Sequence, residues 1–175
     1  MTKTSPSAGA FTINRHFNHP PEKVFTAFSK PEIKAKWFDG PEGCQQLERS
    51  LDAKTGGSEV LKVQWPTNAT IHSGLITHFV ARYHEVEPNR RMVYSYDLMI
   101  GGKHNSTSLA VVELTAAAKG TDMTFTEFVA WHDGTDLDKG LASREHGTGW
   151  GFDKLADVLA VNASENTARP LQPTK

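Results

Sequence analysis

The spacing of hydrophobic residues changes along the chain, and each change marks a different kind of element. Residues 11–18 (FTINRHFN) alternate between apolar and polar positions, which is the period of a β-strand. Residues 20–29 (PPEKVFTAFS) change to helical spacing, and their two prolines and Glu22 suit a first helical turn. A second helical stretch, PEIKAKWF, follows at residues 31–38. The pattern therefore predicts one strand followed by two short helices.

The alternating pattern returns from residue 44 to residue 130. Turn-forming pairs such as Gly56-Gly57, Pro88-Asn89 and Gly101-Gly102 interrupt it and divide the segment into six further strands. Because most of these connections are short, consecutive strands are expected to pair antiparallel.

The last predicted element is a long amphipathic helix from about Leu137 to Val161. Its apolar face consists of Leu141, Thr148, Phe152, Leu155 and Leu159. An apolar sheet face has to be covered, and this helix is the element large enough to cover it.

Three glycines, Gly147, Gly149 and Gly151, lie halfway along this helix. Their G-x-G-x-G spacing inside a helix differs from a dinucleotide-binding loop, because helix-interior N–H groups are already hydrogen-bonded. Each glycine costs about 1 kcal/mol relative to alanine. We interpret them as leaving room beside the sheet, which Trp150, a sheet residue such as Tyr94, or a ligand would fill. A kink or loop that splits the helix near Gly147 is the alternative to a continuous helix at 147–151.

These elements predict an α+β fold in which a curved, seven-stranded antiparallel sheet carries two short helices after its first strand and grips a long C-terminal helix. For a chain of 175 residues we expect a single domain, here over residues 10–161. The polar, turn-rich segments 1–9 and 162–175 are predicted to be disordered tails.

Composition excludes several functional classes. A formal net charge of -1 is unlike that of a nucleic-acid-binding protein. Cys44 is the single cysteine, so an internal disulfide and C-x-x-C motifs are excluded. Neither a signal peptide nor an apolar run of roughly 18 residues is present, which predicts a cytoplasmic protein without membrane association. No metal, nucleotide or nucleophile motif occurs, so no metal or cofactor is expected.

Five stretches, taken in their order, resemble a known family. They are RHFNHPPEKVFTAFSKPEIKAKWF (15–38), Gly56-Gly57, YHEVEPNRRMVY (83–94), GTDMTFTE (120–127) and HGTGWGFDKLADVL (146–159). The chain resembles the START/Bet v 1-like (SRPBCC) superfamily, and specifically bacterial proteins similar to the C-terminal domain of the activator of Hsp90 ATPase. The resemblance implies a helix-grip fold with a cavity between sheet and long helix. Families built this way bind apolar or amphipathic small molecules, and some members are cyclases, hydrolases or dehydratases.

Aromatic residues spread over the helices and the sheet are candidates for the wall of that cavity, with plain core packing as the alternative for each. The candidate ligand-binding aromatics are Trp37, Trp65, Tyr83, Tyr94, Tyr96, Phe125 and Trp150.

Two charged residues, Arg15 and Glu127, occupy positions that share a strand face with the apolar residues of the first and last strands. In the resembling fold these strands are neighbours, so the two side chains are expected to meet on the inward face. The pair would be a polar anchor for a ligand or a structural ion pair, and Glu127 alone is a candidate general acid or base.

Three functions are compatible with the sequence. The leading one is the binding of an apolar or amphipathic small molecule, which the order of the elements, the set of aromatic residues and the space left by the glycines all favour. A polyketide cyclase- or hydrolase-like enzyme would use Glu127 as acid or base, with Tyr94 or Tyr96 polarising a carbonyl. A co-chaperone-like interaction module is the third, although we expect no Hsp90 homologue as partner because the eukaryotic protein's separate N-terminal domain is lacking. A homodimer is compatible with the sequence but is not required by it.

Overall fold

Seven strands form one curved antiparallel sheet, as the sequence predicts. A computed structural model describes residues 6–167, with side chains described over 6–161. The strands are β1 (Ser7–Phe17), β2 (Gln45–Leu51), β3 (Ser58–Gln64), β4 (Ile76–Glu87), β5 (Arg91–Ile100), β6 (Lys103–Ala117) and β7 (Gly120–Trp131). Their order in the sheet is β1-β7-β6-β5-β4-β3-β2. Strands β2 to β7 therefore form a meander, and β1 pairs with the last strand of that meander.

Three helices complete the domain: α1 (Pro21–Ser29), α2 (Pro31–Lys34) and α3 (Leu137–Thr167). Helix α3 is continuous through residues 147–151, so it is not split near Gly147. The Asp136 side chain caps it by accepting a hydrogen bond from the Lys139 N–H at 3.1 Å. The predicted α+β helix-grip architecture is confirmed.

The core lies between α3, α1 and the inner face of the sheet. Phe11, Ile13 and Phe17 of β1 point inward at every second position, as their spacing predicts. On α3, Phe152 and Leu155 are buried against them. The alternation in β1 and the helical spacing in α3 are thus explained by burial against one another.

The domain boundaries differ from the predicted ones. Strand β1 begins at Ser7, so the predicted tail over residues 1–9 is wrong for its last three positions. These residues are too small to show a hydrophobic pattern, yet their size is needed, since a Cβ on Gly9 would lie 2.9 Å from Leu141 Cδ1. Helix α3 continues to Thr167, past the predicted start of the tail at 162–175. Residues 1–5 and 168–175 lie outside the described range.

Within the described residues, no helix is both long enough and apolar enough to cross a lipid bilayer.

Candidate functional site

A cavity of about 540 Å³ lies between α3 and the inner face of the sheet. Most of its wall is aromatic or aliphatic, with Trp37 and Phe38 after α2, Phe79 on β4, Leu98 on β5 and Phe152 on α3. Small-molecule sites in proteins commonly have this size and are mostly apolar with a few polar groups. The cavity is therefore the candidate functional site.

Two glycines of α3 face this cavity. A Cβ built on Gly147 or Gly151 would meet no atom within 4 Å, and both residues line the cavity. Gly149 differs, because its Cβ would lie 3.3 Å from Arg15 Nη2. The predicted room beside the sheet therefore exists at Gly147 and Gly151. At Gly149 the missing side chain instead leaves space for the end of the Arg15 side chain.

Six of the seven candidate aromatics lie on the cavity wall. They are Trp37, Trp65, Tyr94, Tyr96, Phe125 and Trp150. Tyr83 does not lie on it, because its hydroxyl is held in a buried cluster behind the wall.

Trp150 does not fill the space left by the glycines. It is 44% exposed and packs against Lys154, whose Nζ lies 4.8 Å from the ring centroid. At 3.6 residues per turn, position 150 points about 200° away from the core residue Phe152. Trp150 therefore lies at the rim of the cavity.

Glu127 lies at the centre of a buried polar cluster. Its Oε1 accepts hydrogen bonds from Tyr96 Oη at 2.6 Å, Ser108 Oγ at 2.9 Å and Arg144 Nη1 at 3.0 Å. Arg144 also donates to Tyr96 Oη at 2.6 Å and, through Nη2, to Ser106 Oγ at 2.8 Å. Glu127 is 1% exposed, so a carboxylate here has to be paired, and these donors supply the pairing. We call these five residues the Glu127 cluster.

The expectation that Arg15 and Glu127 meet is wrong. Both face inward on neighbouring strands, but the register places Arg15 opposite Met123 and Glu127 opposite Phe11. Arg15 Nη2 instead lies 3.5 Å from Asp153 Oδ1, at the edge of a separate, smaller surface hollow. The partner of Glu127 is Arg144, which comes from the helix rather than from the sheet.

Arg144 was missed because it stands among polar residues in the sequence. A signal was present, since Arg144 lies four residues before Thr148, which belongs to the predicted inward face. Arg144, Gly147, Thr148 and Gly151 follow the i, i+3, i+4, i+7 spacing of one helical stripe, and all four line the cavity.

A second buried cluster was not predicted at all. Lys34 Nζ lies 2.5 Å from Glu59 Oε2 and donates to Tyr83 Oη at 3.2 Å, while Tyr83 Oη donates to Glu59 Oε2 at 2.8 Å. Glu59 Oε1 is buried and has no hydrogen-bond partner within the described residues. The alternation along β3 was the signal in the sequence, because it places Glu59 on the same face as Leu61 and Val63. We call Lys34, Glu59 and Tyr83 the Lys34 cluster.

Tyr94 lies between the two clusters on the sheet. Its ring centroid is 5.4 Å from that of Tyr83 and 6.2 Å from that of Tyr96. The Tyr83 and Tyr96 hydroxyls donate to carboxylates, whereas the Tyr94 hydroxyl makes no hydrogen bond to any described residue. Burial, with the nearby acidic groups of Tyr96, Glu59 and Glu127, raises the pKa of Tyr94 well above its usual value, so the phenol keeps its proton. Tyr94 therefore offers an unused donor to the cavity.

Metal binding and thiol chemistry find no support in this part of the chain. In the range with described side chains, no three His, Cys, Asp or Glu residues are grouped so that they could hold a metal ion. Burial and the charge of Asp39 raise the pKa of the Cys44 thiol, which disfavours the reactive thiolate.

Comparisons with known proteins agree with the fold. A family model described as "Activator of Hsp90 ATPase homolog 1-like protein" matches residues 18–160. A solved structure of a Rhizobium leguminosarum protein is similar with a TM-score of 0.79 and 36% identity over 89% of this chain and 97% of that one. The Mll3558 protein of Rhizobium loti is similar with a TM-score of 0.76 and 34% identity over 89% and 99%.

An AHSA1-like protein from Aeromonas hydrophila shares the fold, with a TM-score of 0.62, 14% identity, and coverage of 94% of this chain and all of that one. No curated protein is similar enough in sequence to be matched.

Proposed function

The chain belongs to the family of Activator of Hsp90 ATPase homolog 1-like proteins, within the START/Bet v 1-like superfamily, and from this premise we propose that it binds a small apolar or amphipathic molecule in the cavity between α3 and the sheet. The observation that carries the proposal is the cavity of about 540 Å³ with its largely aromatic wall. A folded domain normally packs its interior without such a space, because dispersion contacts are lost around it.

The glycines of α3 support the same proposal. Alanine at Gly147 or Gly151 would remove a helix-propensity cost of about 1 kcal/mol and would clash with nothing. Glycine at both positions therefore has no packing reason within the described residues. Binding supplies one, since every added side-chain atom would reduce the space for a ligand.

The apolar wall also gives an adequate driving force. A ligand that buries about 250 Å² of apolar surface gains about 6 kcal/mol at 25 cal/mol per Å². Association entropy and ordering offset part of this gain. We expect micromolar rather than picomolar affinity for a ligand of this size, with polar groups adding specificity.

Nile red, an uncharged dye whose emission shifts to the blue in apolar surroundings, tests the proposal. We expect saturable binding to the wild-type protein and its loss in Gly151→Leu, whose side chain would occupy the cavity. Ala156→Leu is the matched control, because it adds the same side chain to the exposed face of α3. Dye binding that is equal in all three proteins would place the dye on the surface and refute the proposal.

An acid–base role for Glu127 receives less support from the geometry. Its Oε1 already accepts three hydrogen bonds, one of them from an arginine, so this oxygen has little capacity left to accept a proton from a ligand. A proton transfer at this oxygen would first require Arg144 to move away. The cluster therefore fits a structural or anchoring role better than a catalytic one.

No contact of the described residues favours a co-chaperone-like role over ligand binding. A cytoplasmic location remains a prediction from the sequence, which is compatible with a homodimer without requiring one.

A further inference from the structure

The charged side chains on the inner wall of the cavity are already neutralised by the protein. Lys34 is paired with Glu59, and Arg144 is paired with Glu127. His72 also reaches the wall, and burial lowers its pKa, so the imidazole is uncharged at neutral pH. Lys139 is the remaining cation on the wall, and it is exposed to solvent in the first turn of α3. An exposed lysine attracts an anion only weakly, because water screens it.

A charged group on a ligand would therefore enter the cavity without a counter-charge. A ligand carboxylate would have to compete with Glu59 for Lys34 or with Glu127 for Arg144. A ligand ammonium would have to share Glu127 with Arg144. A carboxylate that took Lys34 or Arg144 would leave a buried glutamate without its cation, which is strongly unfavourable. An ammonium beside Glu127 would lie next to the like charge of Arg144.

Apart from the solvent-exposed Lys139, the uncommitted side-chain donors on the wall are electrically neutral. Among the described residues they include the Tyr94 hydroxyl on β5, the Trp131 indole N–H on β7 and the hydroxyls of Ser143 and Thr148 on α3. The indole N–H groups of Trp37 and Trp65 are already used, since they donate to Ala27 O at 2.8 Å and to Thr77 Oγ1 at 3.1 Å. Tyr94 is the uncommitted donor that lies within the aromatic surface of the sheet, between Tyr83 and Tyr96.

We propose that the cavity selects uncharged ligands with an aromatic or alicyclic body and a carbonyl or ether oxygen, which accepts a hydrogen bond from Tyr94 Oη, and that it rejects carboxylates and ammonium groups. This inference rests on the proposed binding function and adds to it the charge and the polar group of the ligand. The high pKa of Tyr94 keeps the donor protonated throughout the neutral range.

Four probes that share one aromatic ring system test the proposal. The two charged probes test the rejection of ions, and the hydrocarbon tests the hydrogen bond to the ligand oxygen. The four probes are naphthyl methyl ketone, its hydrocarbon counterpart ethylnaphthalene, naphthoate and naphthylmethylammonium, each titrated by tryptophan fluorescence and calorimetry at neutral pH. We expect the ketone to bind at least tenfold more tightly than either ion. The hydrocarbon should bind severalfold more weakly than the ketone, because it lacks the hydrogen-bond acceptor.

Two variants test the residues. In Tyr94→Phe the ketone should lose its advantage over ethylnaphthalene, while the affinity for ethylnaphthalene stays the same. Tyr83→Phe is the matched control, because it removes a hydroxyl behind the wall and should leave the preference intact. In Glu59→Gln the unpaired Lys34 should raise the affinity for naphthoate at least tenfold, with circular dichroism used to verify that the variant is folded.

The outcomes are distinguishable. If naphthoate or naphthylmethylammonium binds the wild-type protein within threefold of the ketone, the inference is wrong and the binding function stands. If Tyr94→Phe keeps the ketone preference, the assignment of Tyr94 is wrong. If none of the four probes binds, the proposed function fails and the inference fails with it.

Discussion

The effect of an alanine substitution at a glycine of α3 on the free energy of unfolding should depend on what the added methyl group contacts. Gly147→Ala and Gly151→Ala place it in open space, so each variant gains only the helix-propensity difference of about 1 kcal/mol. The two sites are one helical turn apart, so the added methyl groups would be neighbours, and the double variant should gain at most about 2 kcal/mol in the free energy of unfolding. For a domain of this size each 1 kcal/mol corresponds to about 2–4 °C in Tm.

Gly140→Ala should behave in the opposite way. Its methyl group would lie 2.8 Å from Thr135 Cγ2 and 3.0 Å from Trp131 Cζ2. Overpacking of this kind costs about 1–3 kcal/mol, which exceeds the propensity gain. Gly149→Ala should be nearly neutral, because the contact at 3.3 Å is with the flexible end of Arg15.

Urea unfolding followed by circular dichroism measures the four single variants and the double variant against the wild-type protein, with the m-value as a check that the unfolding transition is unchanged. The reasoning would be refuted if Gly147→Ala and Gly151→Ala were destabilising, because α3 would then pack against the sheet without the cavity. It would also be refuted if Gly140→Ala were as stabilising as the other two.

Three further predictions concern single side chains. Arg144→Met should lower the free energy of unfolding by about 3–5 kcal/mol in urea titrations, because Glu127 would stay buried without its cation; a loss below about 1 kcal/mol would contradict the ion pair. Burial lowers the pKa of His72 in the folded state, so its contribution to stability is complete above about pH 6.5 and decreases as the pH falls. Asparagine tolerates the φ of 53° at this position, so His72→Asn should fold normally and lose less stability between pH 7 and about pH 5 than the wild-type protein. Equal losses in the two proteins would contradict a contribution of His72 to the pH dependence of stability. Because burial raises the pKa of Cys44, iodoacetamide should alkylate the folded protein more slowly than the urea-unfolded protein at neutral pH, as read by mass spectrometry; equal rates would contradict this.

The fold was predictable because the hydrophobic pattern follows what is buried. The alternation of Phe11, Ile13 and Phe17 and the helical spacing of Phe152 and Leu155 both reflect one core. Where side chains are small the pattern carries no information, and this explains the misplaced start of β1 at Ser7–Gly9. The continuity of α3 could not be predicted, because propensity alone does not distinguish a continuous helix with three glycines from a kinked one.

The apolar part of the site was predictable and the polar part was not. Aromatic side chains such as Phe125 and Tyr96 lie on the cavity wall because strand parity directs them inward. The partner of Glu127 depends on how α3 is rotated over the sheet, and no strand pattern contains that information. Lys34 lies in a short polar helix, and only contact with Glu59, distant in sequence, explains its burial.

A crystal structure of the protein with naphthyl methyl ketone tests the central claim most directly. The account predicts electron density for the ligand between α3 and the sheet, beside Gly147 and Gly151, with the carbonyl oxygen about 3 Å from Tyr94 Oη. The Lys34–Glu59 and Arg144–Glu127 ion pairs should stay intact in the complex. A ligand bound only on the outer surface, with side chains filling the cavity, would contradict the account.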